Sequence, residues 1–375
     1  MAEVLGALSI LDKALPSGVD GTRLAEWSMR DGITYGALAN TLSLALGAAN
    51  AELIAKWGWL MSLTEELFME YPNGGSVTPM QELTDQDRPR PRKGTTLGHM
   101  IELHNYGDAV GGTRRYFRDV RSAQIMAAVR DIVNRGIWRF EQKLLERWFT
   151  NTEIVIGSAG YNVPFVRGTA GTIDFAPPPY DGQAFTTSHD HYIGYNASTP
   201  LTHADMLEGL ATTLAEHGHT APFTAMVSQA DVSSYAALTG WVELVEPVIS
   251  LVDRGGATSG AQYFATGSRD YMQIGFFHSK RGLVQVRASN RLATGYAGMC
   301  KSYGQLDSRN PLAVRVHPSQ GFGMLVVPET TLNDDVPVKQ LDVELEFGVG
   351  VGMDRTNGAA GLLVAGGSWA NATVS

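Results

Sequence analysis

A run of apolar residues at helical spacing extends over residues 119–149 and constrains this chain more than any other feature. Ile125, Val129, Ile132, Val133, Ile137, Phe140, Leu144 and Trp148 fall on one face. Arg130, Asp131, Arg135, Arg139, Glu141, Lys143 and Arg147 fall elsewhere. That division predicts a single amphipathic helix, which at its standard rise would be about 45 Å long. A rod of that length braces an extended shape.

The segment before it, residues 71–118, has the opposite character. It reads YPNGGSVTP and then QELTDQDRPRPRKGTTLG, rich in glycine, proline and charge. Proline cannot donate to a sheet ladder, so this is not the middle of a buried sheet. The expectation is a long projecting loop or loose hairpin. A structureless loop of such length is unusual in a compact monomer and is often functional. A partner subunit is the simplest thing for it to reach.

The remaining sequence alternates less regularly. Residues 1–15 predict a short amphipathic helix ended by Pro16-Ser17-Gly18. A longer helical pattern is expected over 37–68, through Leu38, Leu42, Leu46, Leu53, Trp57, Leu60, Met61, Leu67 and Phe68, with Gly47 and Gly58 as weak points. TEIVIG and TIDFA read as short strands. Thr202 followed by Asp205 predicts a capped helix start, continued by Leu207, Leu210 and Leu214 and stopped at Gly218. FTAMVS, QIGFFHS, RGLVQVRAS, AVRVHP and GMLVVPE read as strands, and VKQLDVELEFGVGVGM as an extended run whose alternating glycines allow close backbone packing. Helices followed by mixed strands and helices make an α+β order, not a βαβα alternation.

Composition narrows the function. The chain has 375 residues, 44% hydrophobic and 18% charged, enough for a sizeable core. Its formal charge of −9 argues against general nucleic-acid affinity, which comes from clustered cations. The single cysteine, Cys300, excludes an intrachain disulfide and a cysteine zinc site, and reads as a buried apolar side chain. Glu3 and the lack of a basic start predict no secretory signal. Residues 32–51 carry no charge, but their polar residues and one-sided leucines favour an amphipathic helix over a membrane span.

Sequence motifs for catalysis are sparse. There is no GxSxG elbow, Walker A sequence or HExxH helix. His189-Asp190-His191 and His217-Gly218-His219 place imidazoles in close pairs from which a metal site could be drawn, with Asp205 or Glu216 nearby. The plainer reading is polar turn residues at a domain junction. Glu65-Glu66 and Glu344/Glu346 read as ordinary surface carboxylates. No catalytic residue, cofactor or metal is therefore expected. Two basic clusters, Arg88, Arg90, Arg92, Lys93 and Arg114, Arg115, Arg118, Arg121, are candidates for pairing with acidic surfaces of neighbouring subunits.

Several stretches together resemble the major capsid proteins of tailed double-stranded DNA phages, with the HK97-type fold. They are TTSHDHYIGYN, HADMLEGLATTLAEHGH with FTAMVSQAD, GFFHSKRGLVQVRASNRLATGYAGMCKSYG and LEFGVGVGMDRTNGAAGLLV. The resemblance runs from about residue 30 to the end. It implies an N-terminal arm and helical segment over 1–70 and an extended E-loop over 71–118. Residues 119–201 would be a peripheral domain with its spine helix at 119–149. Residues 202–320 would be an axial domain, and 321–375 strands returning to the peripheral domain. It implies a structural, non-enzymatic subunit that assembles with copies of itself as hexamers and pentamers. The shell would enclose DNA without reading its sequence, would touch no membrane, and would be located in the virion after assembly in the host cytoplasm. The implied partners are a separate scaffolding protein and a portal protein, with a decoration protein as an optional third. Lys93 is the lone lysine of the loop and no acceptor is evident, so no covalent cross-link is expected.

Other readings predict different behaviour. An encapsulin-like compartment would assemble with neither scaffold nor portal. A metal-dependent enzyme using His189 and His191 would hold stoichiometric metal and lose activity on His189→Ala.

Overall fold

The computed structural model describes residues 29–33, 35–75, 94–158, 160–168, 172–196, 202–243, 249–252, 262–265, 273–327, 338–364 and 366–374. The helix expected over 1–15 and the cluster Arg88, Arg90, Arg92, Lys93 lie outside the described residues.

In chain order the elements begin with helix α1 (Tyr35–Trp57) and strands β1 (Met61–Thr64), β2 (Phe68–Asn73), β3 (Thr95–Met100) and β4 (His104–Thr113). Helices α2 (Arg114–Asp119) and α3 (Ser122–Phe149) follow, then β5 (Ile154–Ile156), β6 (Gly160–Asn162) and β7 (Tyr192–Asn196). Helix α4 (His203–Ala215), β8 (Phe223–Ser228), helix α5 (Val232–Ala236) and β9 (Trp241–Glu243) come next. Strands β10 (Ile249–Val252), β11 (Gln262–Ala265), β12 (Gln273–Ser279), β13 (Gly282–Ser289) and β14 (Tyr296–Cys300) precede β15 (Leu312–Arg315), β16 (Met324–Val327), β17 (Val338–Val351) and β18 (Ala359–Val364).

The chain forms two compact units. One contains Met1–Ile54, Leu103–Phe140 and Val316–Gly348; the other contains Ala55–Glu102, Glu141–Arg315 and Val349–Ser375. The helices α1 and α3 and the strand β17 each pass from one to the other.

In the smaller unit β17 is the organising strand. Its antiparallel partner β4 runs in register from Val338↔Thr113 to Phe347↔His104, and β16 pairs with it from Met324↔Leu345 to Val327↔Asp342. The sequence DVELEF alternates, so Val343, Leu345 and Phe347 are buried while the acids between them are half-buried. Phe347 meets Phe140 of α3 at 5.2 Å between ring centroids, and Phe140 meets Phe322 at 5.4 Å. Asn50 of α1 pairs with the backbone of Met324, donating to its carbonyl at 3.0 Å and accepting from its N–H at 2.8 Å. Gly136 lets α3 approach the Met324 thioether, which a Cβ would strike.

The larger unit is built on a seven-stranded mixed sheet in the order β7-β18-β14-β8-β13-β12-β9. Every residue of β8 is buried, as expected of a central strand covered on both faces, with only Thr224 and Ser228 polar in FTAMVS. Helix α4 covers the sheet with Met206, Leu207, Leu210 and Leu214 against Phe223, Ala225, Val286 and Met299. Its start is a complete capping box between Thr202 and Asp205. Cys300 is buried on β14, and burial pushes its thiol pKa up.

Three sequence expectations are corrected. Helix α1 ends at Trp57 rather than near 68. Residues 61–64 and 68–73 are instead strands, β1 pairing in parallel with β15 and β2 antiparallel with β3. A short continuous apolar run such as WLM does not distinguish strand from helix by period. Asn310 fixes the change of direction, donating to the Gly58 and Met61 carbonyls, both at 3.0 Å. Residues 172–176 form no strand, because side chains take their backbone donors: Glu153 accepts from Thr172 and Ile173, and Asn73 accepts from Ala176. Residues 104–118, expected within the projecting loop or loose hairpin, are strand and helix. The glycines and charges of β4 misled the reading because most of its side chains face solvent.

Helix α3 begins three residues later than the pattern predicts, after the separate turn of α2. Among the described residues no helix is long and apolar enough to cross a membrane.

Candidate functional sites

Helix α2 carries the second basic cluster. Arg115 and Arg118 are exposed there, and both face Asp119: Arg118 Nε donates to its carboxylate at 3.0 Å, and Arg115 Nε lies 3.9 Å away. Hydrogen bonding from Arg118 holds the Asp119 carboxyl below its usual range. Arg114 opens the helix, after the Thr113 cap. The structure therefore places Arg115 and Arg118 on one solvent-facing turn.

The base of the β2–β3 hairpin is tied down by a residue that pattern reasoning missed. Arg355, in the turn before β18, is 2% exposed. Its guanidinium donates to the Pro164 carbonyl at 2.9 Å, the Phe165 carbonyl at 3.2 Å and Tyr71 Oη at 3.2 Å. It also lies 4.3 Å from the Phe175 ring centroid. Burial lowers its pKa, and the Tyr71 contact opposes that shift. Arg147 plays a similar part at the end of α3. Its Nη2 donates to the carbonyls of Thr150 and Thr152 at 2.6 and 3.1 Å, tying down the chain that leaves the helix. An arginine amid GMDRTNG carries no local sign that it will be buried.

His99 on β3 is 1% exposed, with Nε2 2.9 Å from the Val351 carbonyl oxygen. Burial, with Arg355 nearby, pushes its pKa down to about 3. The close approach of β17 here needs Gly350, where a Cβ would meet Ile101 Cγ1 at 2.6 Å.

The histidines are half-buried or buried rather than exposed polar turn residues. His189 and His191 lie in the segment leading into β7, and His217 in the turn that ends α4. The His191 backbone is held on both sides, its N–H by Val166 O at 2.9 Å and its carbonyl by the Ala360 N–H at 2.8 Å. The Nε2 atoms of His189 and His191 each lie 2.9 Å from His217 Nε2. Gly218, at φ +89°, turns the chain so that His219 points elsewhere, to Thr356 Oγ1 at 3.0 Å. Sequence spacing revealed each pair but not that His217 joins His189 and His191. Neither Asp205, which caps α4, nor Glu216 belongs to the cluster.

No protein-family model matches the chain, and no curated protein matches it. Solved structures do. A chain from Mycobacterium phage Patience is 20% identical, with a TM-score of 0.61 over 91% of each chain. The asymmetric unit of the bacteriophage PhiM1 mature capsid is 11% identical, with a TM-score of 0.46 over 81% of this chain and 85% of that one. The cyanophage Pam1 capsid asymmetric unit is 12% identical, with a TM-score of 0.44 over 84% and 93%. The first likeness shows the fold: this chain shares its α+β architecture with the phage Patience chain over 91% of both.

Proposed function

We propose that this chain is the major shell subunit of a tailed-phage head, assembling with its own copies into a closed icosahedral capsid around double-stranded DNA. The observation that carries this reading is the likeness to the phage Patience chain over 91% of both chains. In this reading the β2–β3 hairpin and the residues between its strands are the part of 71–118 that lies over an adjacent subunit, β4 is its return strand on β17, and α3 is the spine of the peripheral domain. Residues 202–320 supply the axial domain, 321–375 return to the peripheral domain, and the N-terminal residues form the arm. Copies assemble as hexamers and pentamers with a separate scaffolding protein and a portal protein, and a decoration protein could coat the outside. The finished subunit resides in the virion.

The surface supports an assembling role. Most residues of β4 are exposed or half-buried although the strand is ten residues long, and Ile154 and Val155 of β5 are 52% and 65% exposed. Extended strands and apolar side chains left open within one subunit are the material of intersubunit contacts. The acidic net charge suits a wall that must not hold packaged DNA tightly.

Sedimentation of the protein, expressed alone and with its genomic neighbours, tests the proposal. Megadalton particles that require a scaffold and protect DNA from nuclease are the expected result. Particles that assemble without scaffold or portal and enclose protein cargo would transfer the reading to a compartment shell. A discrete small oligomer under every condition would overturn both.

A further inference from the structure

The imidazole cluster of the larger unit has no role in the shell reading, and its hydrogen bonding does not close. His191 Nδ1 lies 2.7 Å from the Gly358 carbonyl oxygen, which can only accept. Nδ1 therefore carries the proton, and Nε2 presents a lone pair towards His217. If His217 is protonated at Nε2, its buried Nδ1 is an acceptor without a partner. If it is protonated at Nδ1, that N–H is a buried donor without a partner and Nε2 meets the lone pair of His191. Charging the rings is no remedy. A fully protonated His217 would still leave its buried Nδ1–H without an acceptor, and a charged His191 would turn its Nε2–H on His217 across 2.9 Å. Three neutral imidazoles whose Nε2 atoms converge are what a transition-metal ion takes up.

We propose that His189, His191 and His217 bind one divalent transition-metal ion through Nε2, with zinc(II) as the reference ion. All three ligand atoms lie within 4.8 Å of one another. Two nitrogens about 2.0–2.1 Å from a tetrahedral zinc are about 3.3 Å apart. The observed 2.9 Å spacings need to open by only a few tenths of an ångström. The surroundings are already in place. Gly358 O orients His191, and the Phe185 ring packs on His189 and His217 at centroid distances of 4.9 and 4.2 Å. His189 and His217 are half-buried, so the fourth position opens towards solvent, where water completes the shell. The ion would join the approach to β7, the end of α4 and, through Gly358, the start of β18. Those segments are separated in sequence, and cross-linking them makes the role structural. The site lies within one subunit and does not depend on the shell reading.

Metal binding by the purified full-length protein decides the matter. After chelation and dialysis, zinc should be taken up at about one ion per subunit and should raise the thermal midpoint by about 5 °C. Cobalt(II) should bind at the same stoichiometry and give visible d–d absorption. His189→Gln and His217→Gln should each lose the ion and the thermal shift, while His219→Gln keeps both. His189 is half-exposed, so His189→Gln should match the chelated wild type in midpoint and decides the question if His217→Gln does not fold. Less than about 0.1 ion per subunit in the wild type with zinc, cobalt and nickel, or equal uptake by His189→Gln, would overturn the proposal.

Discussion

Arg355 donates to the hydroxyl of Tyr71 at 3.2 Å, a contact between residues 284 positions apart in the chain. It joins the base of the β2–β3 hairpin to the turn before β18, and the same guanidinium holds the carbonyls of Pro164 and Phe165. Replacing Arg355 with methionine would leave those acceptors buried without a donor. The expected cost is about 2–4 kcal/mol in urea unfolding. Arg355→Lys should recover little, since an ammonium cannot reproduce the planar fork. An unchanged unfolding midpoint in both variants would contradict the anchoring role.

Acid should destabilise the subunit through His99. Its folded pKa of about 3 lies below the ordinary histidine value of 6.5. Below about pH 6.5 the unfolded chain therefore binds a proton that the folded chain does not. Stability from this group is full above that pH and falls as the pH drops towards 3. His99→Gln should flatten the pH dependence of the thermal midpoint between 6.5 and 4, whatever it does to the midpoint at pH 7. A slope identical to wild type would show that His99 is not held neutral.

Much of the fold was legible because its signals are periodic. Helix α3, the Thr202–Asp205 capping box, the buried FTAMVS strand and the GFFHS–GLVQV hairpin follow from spacing and turn chemistry. The end of α1 was not, because it depends on Asn310, about 250 residues away. Nor was the fate of TIDFA, decided by Glu153 and Asn73. The histidine cluster was half legible: two pairs stood out, but only the tertiary fold brings His217, after α4, against the segment before β7 that carries His189 and His191. Buried arginines such as Arg147 and Arg355 left no local signal, since their acceptors are backbone carbonyls that any residue could supply.

Deleting residues 81–94 should leave a folded subunit. The β2–β3 pairing ends at Asn73↔Thr95 and survives the deletion. The proposed loop contacts are intermolecular, so assembly should weaken while circular dichroism and the thermal midpoint stay near wild type. Full assembly after the deletion would remove residues 81–94 from the shell contacts.

Arg118 is exposed and its partner Asp119 is on the same short helix. An exposed pair of this kind contributes little to stability. Arg118→Glu should therefore leave the subunit's thermal midpoint unchanged but reduce assembly, with a salt dependence different from wild type. Equal assembly at all salt concentrations would exclude this turn from the contact surface. The same experiment at Arg90 and Arg92 tests the other basic cluster.

Gly136 separates two effects on α3. Gly136→Ala adds helix propensity but brings a methyl group against the flexible tip of Met324, so stability should change by no more than about 1–2 kcal/mol. Gly136→Pro removes a helix hydrogen bond and should cost about 3 kcal/mol or more, measurable as loss of soluble protein. Soluble, stable Gly136→Pro protein would contradict a continuous α3.

A closed shell is the product proposed for this chain. Electron microscopy of the purified protein, expressed with its genomic neighbours, tests it directly. Uniform icosahedral particles whose walls resolve into hexamers and pentamers of this subunit are the expected result. Small discrete oligomers, with no closed particles in any preparation, would contradict it.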